Sequence, residues 1–327
     1  MPSLFAERIR RLEAVIHRQG GVFRRKSSDC ARGVPYFGPG TILEAGAEQM
    51  PKTVLITGSS SGIGRATAQY FAAKGWNVAA TARDPDSLGS WARTRNIAAL
   101  RLDVTDESTI ATSVAVTIER FGAIDVLVNN AGFGLLGPLE GATAEQFESQ
   151  FRTNVFGTAA MIRHVLPTMR TRRSGSIINI SSIGGRLATP LGSAYYSSKF
   201  AIEGLSESLQ FELRLHGIRV KLIEPGHFKT DFTTRSLRWA AHGAYEPQLG
   251  TMMAGMASFA ERGGDVDRVA EAVFKAANDS SGRLRYPVGG RMILAVHAIL
   301  PDAVWRWMIG ATMNMKPRAR GGRVPRR

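Results

Sequence analysis

Residues 52–84 read KTVLITGSSSGIGRATAQYFAAKGWNVAATARD, and the order of patterns in that stretch decides the fold. KTVLIT (52–57) is a short β-branched run that stops at a glycine, as strands do. Apolar residues at helical spacing follow in IGRATAQYFAAKG (63–75), which also ends in glycine, and WNVAATA (76–82) is strand-like again. Between the first strand and the helix lies TGSSSGIG, with Gly58, Gly62 and Gly64. Glycine permits a tight turn and lets backbone N–H groups approach a pyrophosphate at the positive end of the helix. The spacing is GxxxGxG, which departs from the GxGxxG of the general dinucleotide fingerprint.

The alternation continues outward. Strand-like runs recur at 98–103, 124–130, 175–181, 218–226 and 283–288, separated by helix-length segments such as 107–122. Strands alternating with helices imply right-handed crossovers and a parallel sheet covered on both faces. The expectation is a single doubly wound parallel α/β domain, a Rossmann fold, over residues 50–290, with ligands at the carboxyl ends of its strands. Residues 1–49 lack that pattern. Leu4, Phe5, Ile9, Leu12, Val15 and Ile16 fall at helical spacing, then no period persists. The segment reads as a surface amphipathic helix, a disordered extension, or sequence upstream of the true start at Met50, the last two being preferred. Residues 291–315 contain MILAVHAIL and VWRWMIGATM, too short for the ~20 residues of a membrane span. They read as a C-terminal lid packed over a pocket, with a shallow membrane contact as the alternative.

Composition narrows the classes. The 327 residues are 44% hydrophobic, enough for a substantial core. Cys30 is the only cysteine, which excludes an intramolecular disulfide and fits a reducing, cytoplasmic setting. The histidines show no HxxxH or HExxH spacing, so no metal site is expected. Of the formal charge of +15, six units come from residues 316–327, KPRARGGRVPRR, which contain no acid. Such a tail reads as disordered and solvated, with RNA, DNA or anionic lipid as alternative partners resting on charge alone.

Motifs beyond the glycine turn identify the chain as a member of the short-chain dehydrogenase/reductase family. They are TGxxxGIG from Thr57, LDVTD containing Asp103, NNAG (129–132), NVFGT from Asn154, Ser182, the YxxxK pair Tyr195 and Lys199, and EPGHFKTDF from Glu224. The resemblance covers nearly all of residues 51–290. EPGHFKTDF and the late RYPVGGRMILAVHAILPD look like the branch that includes retinol and 17β-hydroxysteroid dehydrogenase relatives. It implies a nicotinamide cofactor held by Gly58, Ser59, Ser61, Gly62, Ile63, Gly64, Asp103, Val104, Asn130, Ala131, Gly132, Tyr195, Lys199, Pro225, Gly226, Phe228 and Thr230. It also implies a homodimer or homotetramer built on helices around residues 143–170 and 193–217. The second strand ends with Ala82, where users of NAD carry aspartate, followed by Arg83, which suits a 2′-phosphate. NADP is therefore expected over NAD, unless Asp84 neutralises Arg83.

Transferring a hydride between nicotinamide and a carbonyl also requires a proton on oxygen, and a tyrosine serves if an ammonium brings its pKa down. Residues four apart share a helix face, so Tyr195 pairs with Lys199, while Tyr196 points about 100° away as a pocket or core aromatic. Ser182, thirteen residues before Tyr195, keeps the family's serine spacing and would hold the substrate oxygen; composition alone would allow Ser181. Asn154 matches the family's fourth member, which binds a water linking the lysine to solvent. The segment after Thr230 is rich in Phe, Trp, Tyr and Met, so the substrate is expected to be apolar: a steroid, retinoid or other lipid-like alcohol or carbonyl. The alternative is a non-catalytic NADP-binding regulator, which the presence of all four catalytic residues argues against.

Overall fold

The computed structural model describes residues 51–229, 232–313 and 315, with backbone alone at 233, 234 and 259–261. The N-terminal segment, the basic tail and Thr230 lie outside the described residues.

Seven strands form one parallel sheet: β1 (Thr53–Ile56), β2 (Asn77–Ala82), β3 (Ile97–Arg101), β4 (Val126–Asn129), β6 (Gly175–Ile180), β7 (Ile218–Pro225) and β9 (Arg285–Val288). Their spatial order is β3-β2-β1-β4-β6-β7-β9. Each of the seven coincides with a run read from the sequence. β5 (Gly134–Leu136) and β8 (Leu237–Trp239) form a separate parallel pair that the sequence did not signal.

Alternation along the strands fills two apolar layers. Val54, Ile56, Val126, Val128 and Ile178 face a layer with Phe71, Val269 and Val273, which come from α1 (Gly62–Ala73) and α7 (Asp267–Asn278). Leu55, Leu127, Ile177 and Val220 face the other, with side chains of α2 (Glu107–Phe121), α4 (Gly157–Arg172) and α5 (Ser193–Arg214). Both faces are covered, so the strands are continuously apolar rather than alternating with polar residues. α3 (Ala144–Phe151) starts at a capping box between Thr143 and Gln146 and runs into α4 through a π-helical turn, Arg152–Phe156.

The chain reverses its direction of travel across the sheet between β1 and β4, which places the open crevice at their carboxyl ends. The glycine turn follows β1, NNAG ends β4, Ser182 follows β6 and Pro225 ends β7. Thus the motif-bearing loops share one rim. α6 (Glu246–Arg262) and the C-terminal helices α8 (Arg291–Ile299) and α9 (Asp302–Thr312) complete the described chain.

Candidate active site

The glycine turn is shaped for close backbone approach. Gly58 has φ +70°, and a Cβ on Gly64 would lie 2.2 Å from the Gly58 carbonyl oxygen and 2.4 Å from Asn130 Nδ2. Asn130 Nδ2 donates to the Thr57 and Gly58 carbonyls at 2.9 Å, and the Asn130 and Ala131 amides both donate to Thr57 Oγ1 at 2.9 Å. NNAG is thereby stitched to the turn. Ser61 is the N-cap of α1 but makes no side-chain capping bond, and no acid occupies the first turn. The first amides of α1 are thus left for an anion, while Ile63 packs sideways against the core. Ser59 is fully buried, its hydroxyl donating to the Ile56 carbonyl at 3.0 Å, so it shapes the turn and its side chain does not face a ligand.

Farther along the rim, Asp103 accepts from the Thr105 amide and hydroxyl at 2.9 and 2.7 Å, and Val104 is buried against Gly157. Asp84 Oδ1 accepts from the Asp86 amide as the cap of a short 3₁₀ turn. It is occupied locally, and among the described residues Arg83 is exposed and forms no ion pair. Pro225 is buried, the Gly226 amide donates to Val288 O at 2.9 Å, and Phe228 packs on the core below. Turn, uncapped helix and free arginine fit a phosphate-bearing dinucleotide.

Tyr195 lies in the first turn of α5, with its phenol close enough to the Ser182 hydroxyl for that group to oppose the rise in its pKa. Ser182 Oγ accepts from the Gly184 amide at 3.0 Å, which holds it at the head of the loop after β6. Ser181 faces the other way, 3% exposed, so the strand's alternation separates the two serines that composition could not. The Tyr196 ring meets that of Tyr195 edge-on, centroids 5.6 Å apart, closer than the expected 100° separation implied, and its hydroxyl lies 2.7 Å from Thr189 Oγ1. Its ring is wedged where a Cβ on Gly184 or Gly192 would come within 2.8 and 2.3 Å. Lys199 Nζ donates to the Ile180 carbonyl at 2.9 Å and lies 5.9 Å from the Tyr195 ring centre.

The electrostatics differ from expectation. Burial pushes the Tyr195 phenol up to about 12, with the Ser182 hydroxyl opposing that rise, and burial brings Lys199 down to about 8, with Glu203 opposing that fall. Lys199 is not among the groups that lower the Tyr195 pKa. Its ammonium is spent on a backbone carbonyl, and the apolar packing around the phenol outweighs it.

Asn154 is 3% exposed in the π-helical turn. Its Oδ1 accepts from the Phe133 amide at 3.1 Å, and Nδ2 donates to Phe133 O at 2.9 Å and Ser198 Oγ at 3.2 Å. Ser198 Oγ in turn donates to Tyr195 O at 2.7 Å. The side chain pins the segment after NNAG to the tyrosine helix.

A charged cluster that motif reading missed lies beneath the site. Arg285 Nε is 2.9 Å from Glu203 Oε2 and 3.4 Å from Glu224 Oε1, and its other arm reaches Glu207 at 2.8 Å. Arg186 meets Glu224 at 3.3 Å. Glu203 stands one turn after Lys199, Arg186 four residues after Ser182, and Glu224 just before Pro225, so the cluster ties three motif-bearing segments together. Burial, reinforced by the Glu203 carboxylate, holds the Glu224 pKa above its usual range. The Lys199/Glu203 spacing was visible in the sequence, but Arg285 is 82 residues from its partner.

Over Tyr195, an apolar cluster joins Leu136 and Leu191 to Leu237 and Trp239 of β8, Leu249 and Met252 of α6, and Met313 and Met315. A cleft of about 530 Å³ opens beside it, lined by Pro138, Leu139, Leu191, Tyr245 and Met315 among others.

Comparison with known proteins agrees with this arrangement. Residues 52–241 match the short chain dehydrogenase family model. An uncharacterized oxidoreductase of Schizosaccharomyces pombe is 37% identical over 225 residues, covering 68% of this chain and 95% of its own. The 3-ketodihydrosphingosine reductase of Bacteroides thetaiotaomicron is 45% identical over 184 residues (56% and 66% covered), and human retinol dehydrogenase 8 is 39% identical over 196 (57% and 62%). A short-chain dehydrogenase structure from Streptomyces avermitilis superposes with TM-score 0.72 at 36% identity, covering 80% of this chain and 95% of that one. Both cofactors occur among similar structures. One from Burkholderia phymatum is in complex with NAD (TM-score 0.67, 27% identity, 76% and 92% covered), and ElxO has NADP bound (0.61, 29%, 75% and 100%). The chain belongs to the short chain dehydrogenase family of nicotinamide-dependent oxidoreductases.

Proposed function

We propose that this oxidoreductase uses NADP(H) to interconvert a carbonyl and an alcohol on an apolar, lipid-like substrate. The observation that carries the reading is the convergence of Ser182, Tyr195 and Lys199, with the Ser182 hydroxyl beside the phenol and Lys199 Nζ, one turn along the same helix, 5.9 Å from the Tyr195 ring centre. Gly58, Gly62, Gly64, Asn130 and the first amides of α1 would hold the pyrophosphate, and Arg83 a 2′-phosphate. A bound nicotinamide supplies or accepts the hydride.

The chain's own residues do the rest. Ser182 fixes the substrate oxygen beside the phenol, and Tyr195, with its pKa near 12, stays protonated at neutral pH and donates its proton to that oxygen during reduction. Lys199, held on the Ile180 carbonyl one turn along the same helix, would grip the nicotinamide ribose. The apolar cluster of Leu136, Leu191, Trp239 and Met252 excludes water from the carbonyl and selects an apolar body. Similarity to a retinol dehydrogenase and a 3-ketodihydrosphingosine reductase supports a lipid-like substrate class.

The test is nicotinamide absorbance while the protein and NADPH meet a panel of apolar ketones and aldehydes. Turnover should fall by at least ~10²-fold in Tyr195→Phe, the usual contribution of a positioned proton donor. Tight NADPH binding with no turnover of any apolar carbonyl would instead favour a regulatory cofactor-binding protein.

A further inference from the structure

The C-terminal helices carry an apolar surface that nothing in the described chain covers. α8 reads RMILAVHAI, yet none of its residues is buried. Met292, Val296 and Ile299 recur at helical spacing, and Met292 and Ile299 are 81% and 82% exposed. α9 extends the surface with Val304 and with Trp307, 68% exposed, whereas Trp305 turns inward against His297. So apolar a helix with no buried face has its partner outside the domain.

Charge decides which partner. Arg291 opens α8, and the acid on α9, Asp302, is neutralised by Arg306. Residues 316–327, which continue the chain directly, hold six basic residues and no acid, within a total of +15. A second copy would bring the same positive charge to the contact. Residues 1–49, with eight basic and five acidic residues, would do the same. An anionic surface is the complementary occupant, and tryptophan beside exposed aliphatic residues suits the headgroup boundary.

We propose that α8 and α9 dock on an anionic lipid bilayer. Met292, Ile299 and Trp307 enter the headgroup boundary, and Arg291 and the basic residues after Met315 engage lipid phosphates. Neither signal alone anchors stably, but an apolar patch with a polybasic segment does, and reversibly. Met313 and Met315, at the end of α9, belong to the cluster packed around Tyr195, so the docked surface adjoins the substrate side.

Sedimentation of the full-length protein with vesicles tests this, comparing phosphatidylcholine alone with phosphatidylcholine mixed with phosphatidylserine. The expected result is binding to the mixed vesicles, weakened by salt, and reduced at least tenfold by Ile299→Ser with Trp307→Ser. Trp307→Phe alone should retain it, and Arg318→Gln with Arg320→Gln and Arg323→Gln should weaken it. Absence of vesicle binding would overturn the proposal. So would binding untouched by the Ile299/Trp307 pair, or loss in that pair of a self-association that competes with vesicles. Neither cofactor nor substrate is present, so the outcome is independent of the catalytic reading.

Discussion

Arg83 and Lys199 carry the two functional choices that rest on single charges. Asp84 is held as a cap on its own turn, leaving Arg83 free to meet a phosphate. A charge-assisted bond of that kind contributes ~1.5–3 kcal/mol, so Arg83→Ala should raise the KM for NADPH roughly tenfold or more while leaving NADH use little changed. Steady-state kinetics with both cofactors would show it. Lys199, at about 8, loses its proton just above neutrality. Reduction should therefore be flat at lower pH and decline as pH rises through about 8. The Glu203 carboxylate opposes the fall in the Lys199 pKa, so Glu203→Gln should move the decline to lower pH. A pH profile of kcat compares the two enzymes; unchanged profiles would separate Glu203 from the lysine. The juxtaposition of Tyr195 and Lys199 was legible because helix periodicity sets i and i+4 on one face. The direction of the Tyr195 pKa shift was not, because the side chains that bury it, from Leu136 to Met315, are scattered across the chain.

Arg285 acts at the scale of elements, linking β9 to α5 and to the end of β7 through Glu203 and Glu224. Glu224 is fully buried and Glu203 nearly so. Arg285→Ala would strand the Glu203 carboxylate and leave Glu224 only Arg186, at a cost of about 3–5 kcal/mol where a buried pair is broken. Thermal unfolding should show the loss at neutral pH and a smaller one in acid, where protonated carboxyls carry no buried charge. The seven sheet strands were legible because both faces are covered and each run is apolar between turn signals. β5 and β8 were not: three residues offer too little periodicity, and their pairing depends on chain brought back from a distance.

Exposed aromatic and aliphatic side chains mark a second surface on the whole molecule. Phe156, Phe211 and Leu215 are 61%, 71% and 75% exposed on or beside the α4 and α5 helices. This is the region through which the family resemblance implies self-association, and Phe211→Arg should convert the assembly to smaller species by sedimentation velocity. Among the described residues no helix is long and apolar enough to cross a membrane. The overall plan was readable from order and spacing of motifs, whereas exposure of α8 was not, since an apolar run looks the same whether it faces a core or solvent.

The small β5–β8 pair has a further consequence. It joins residues some hundred positions apart through a three-residue register, while the cofactor loops hang from a seven-strand sheet. A three-residue pair has few ladder bonds to open, so its amides would exchange with deuterium before those of β1 and β4. The wall proposed to face substrate would then open apart from the sheet, and substitutions that reshape it should leave the melting temperature of the cofactor half largely unchanged.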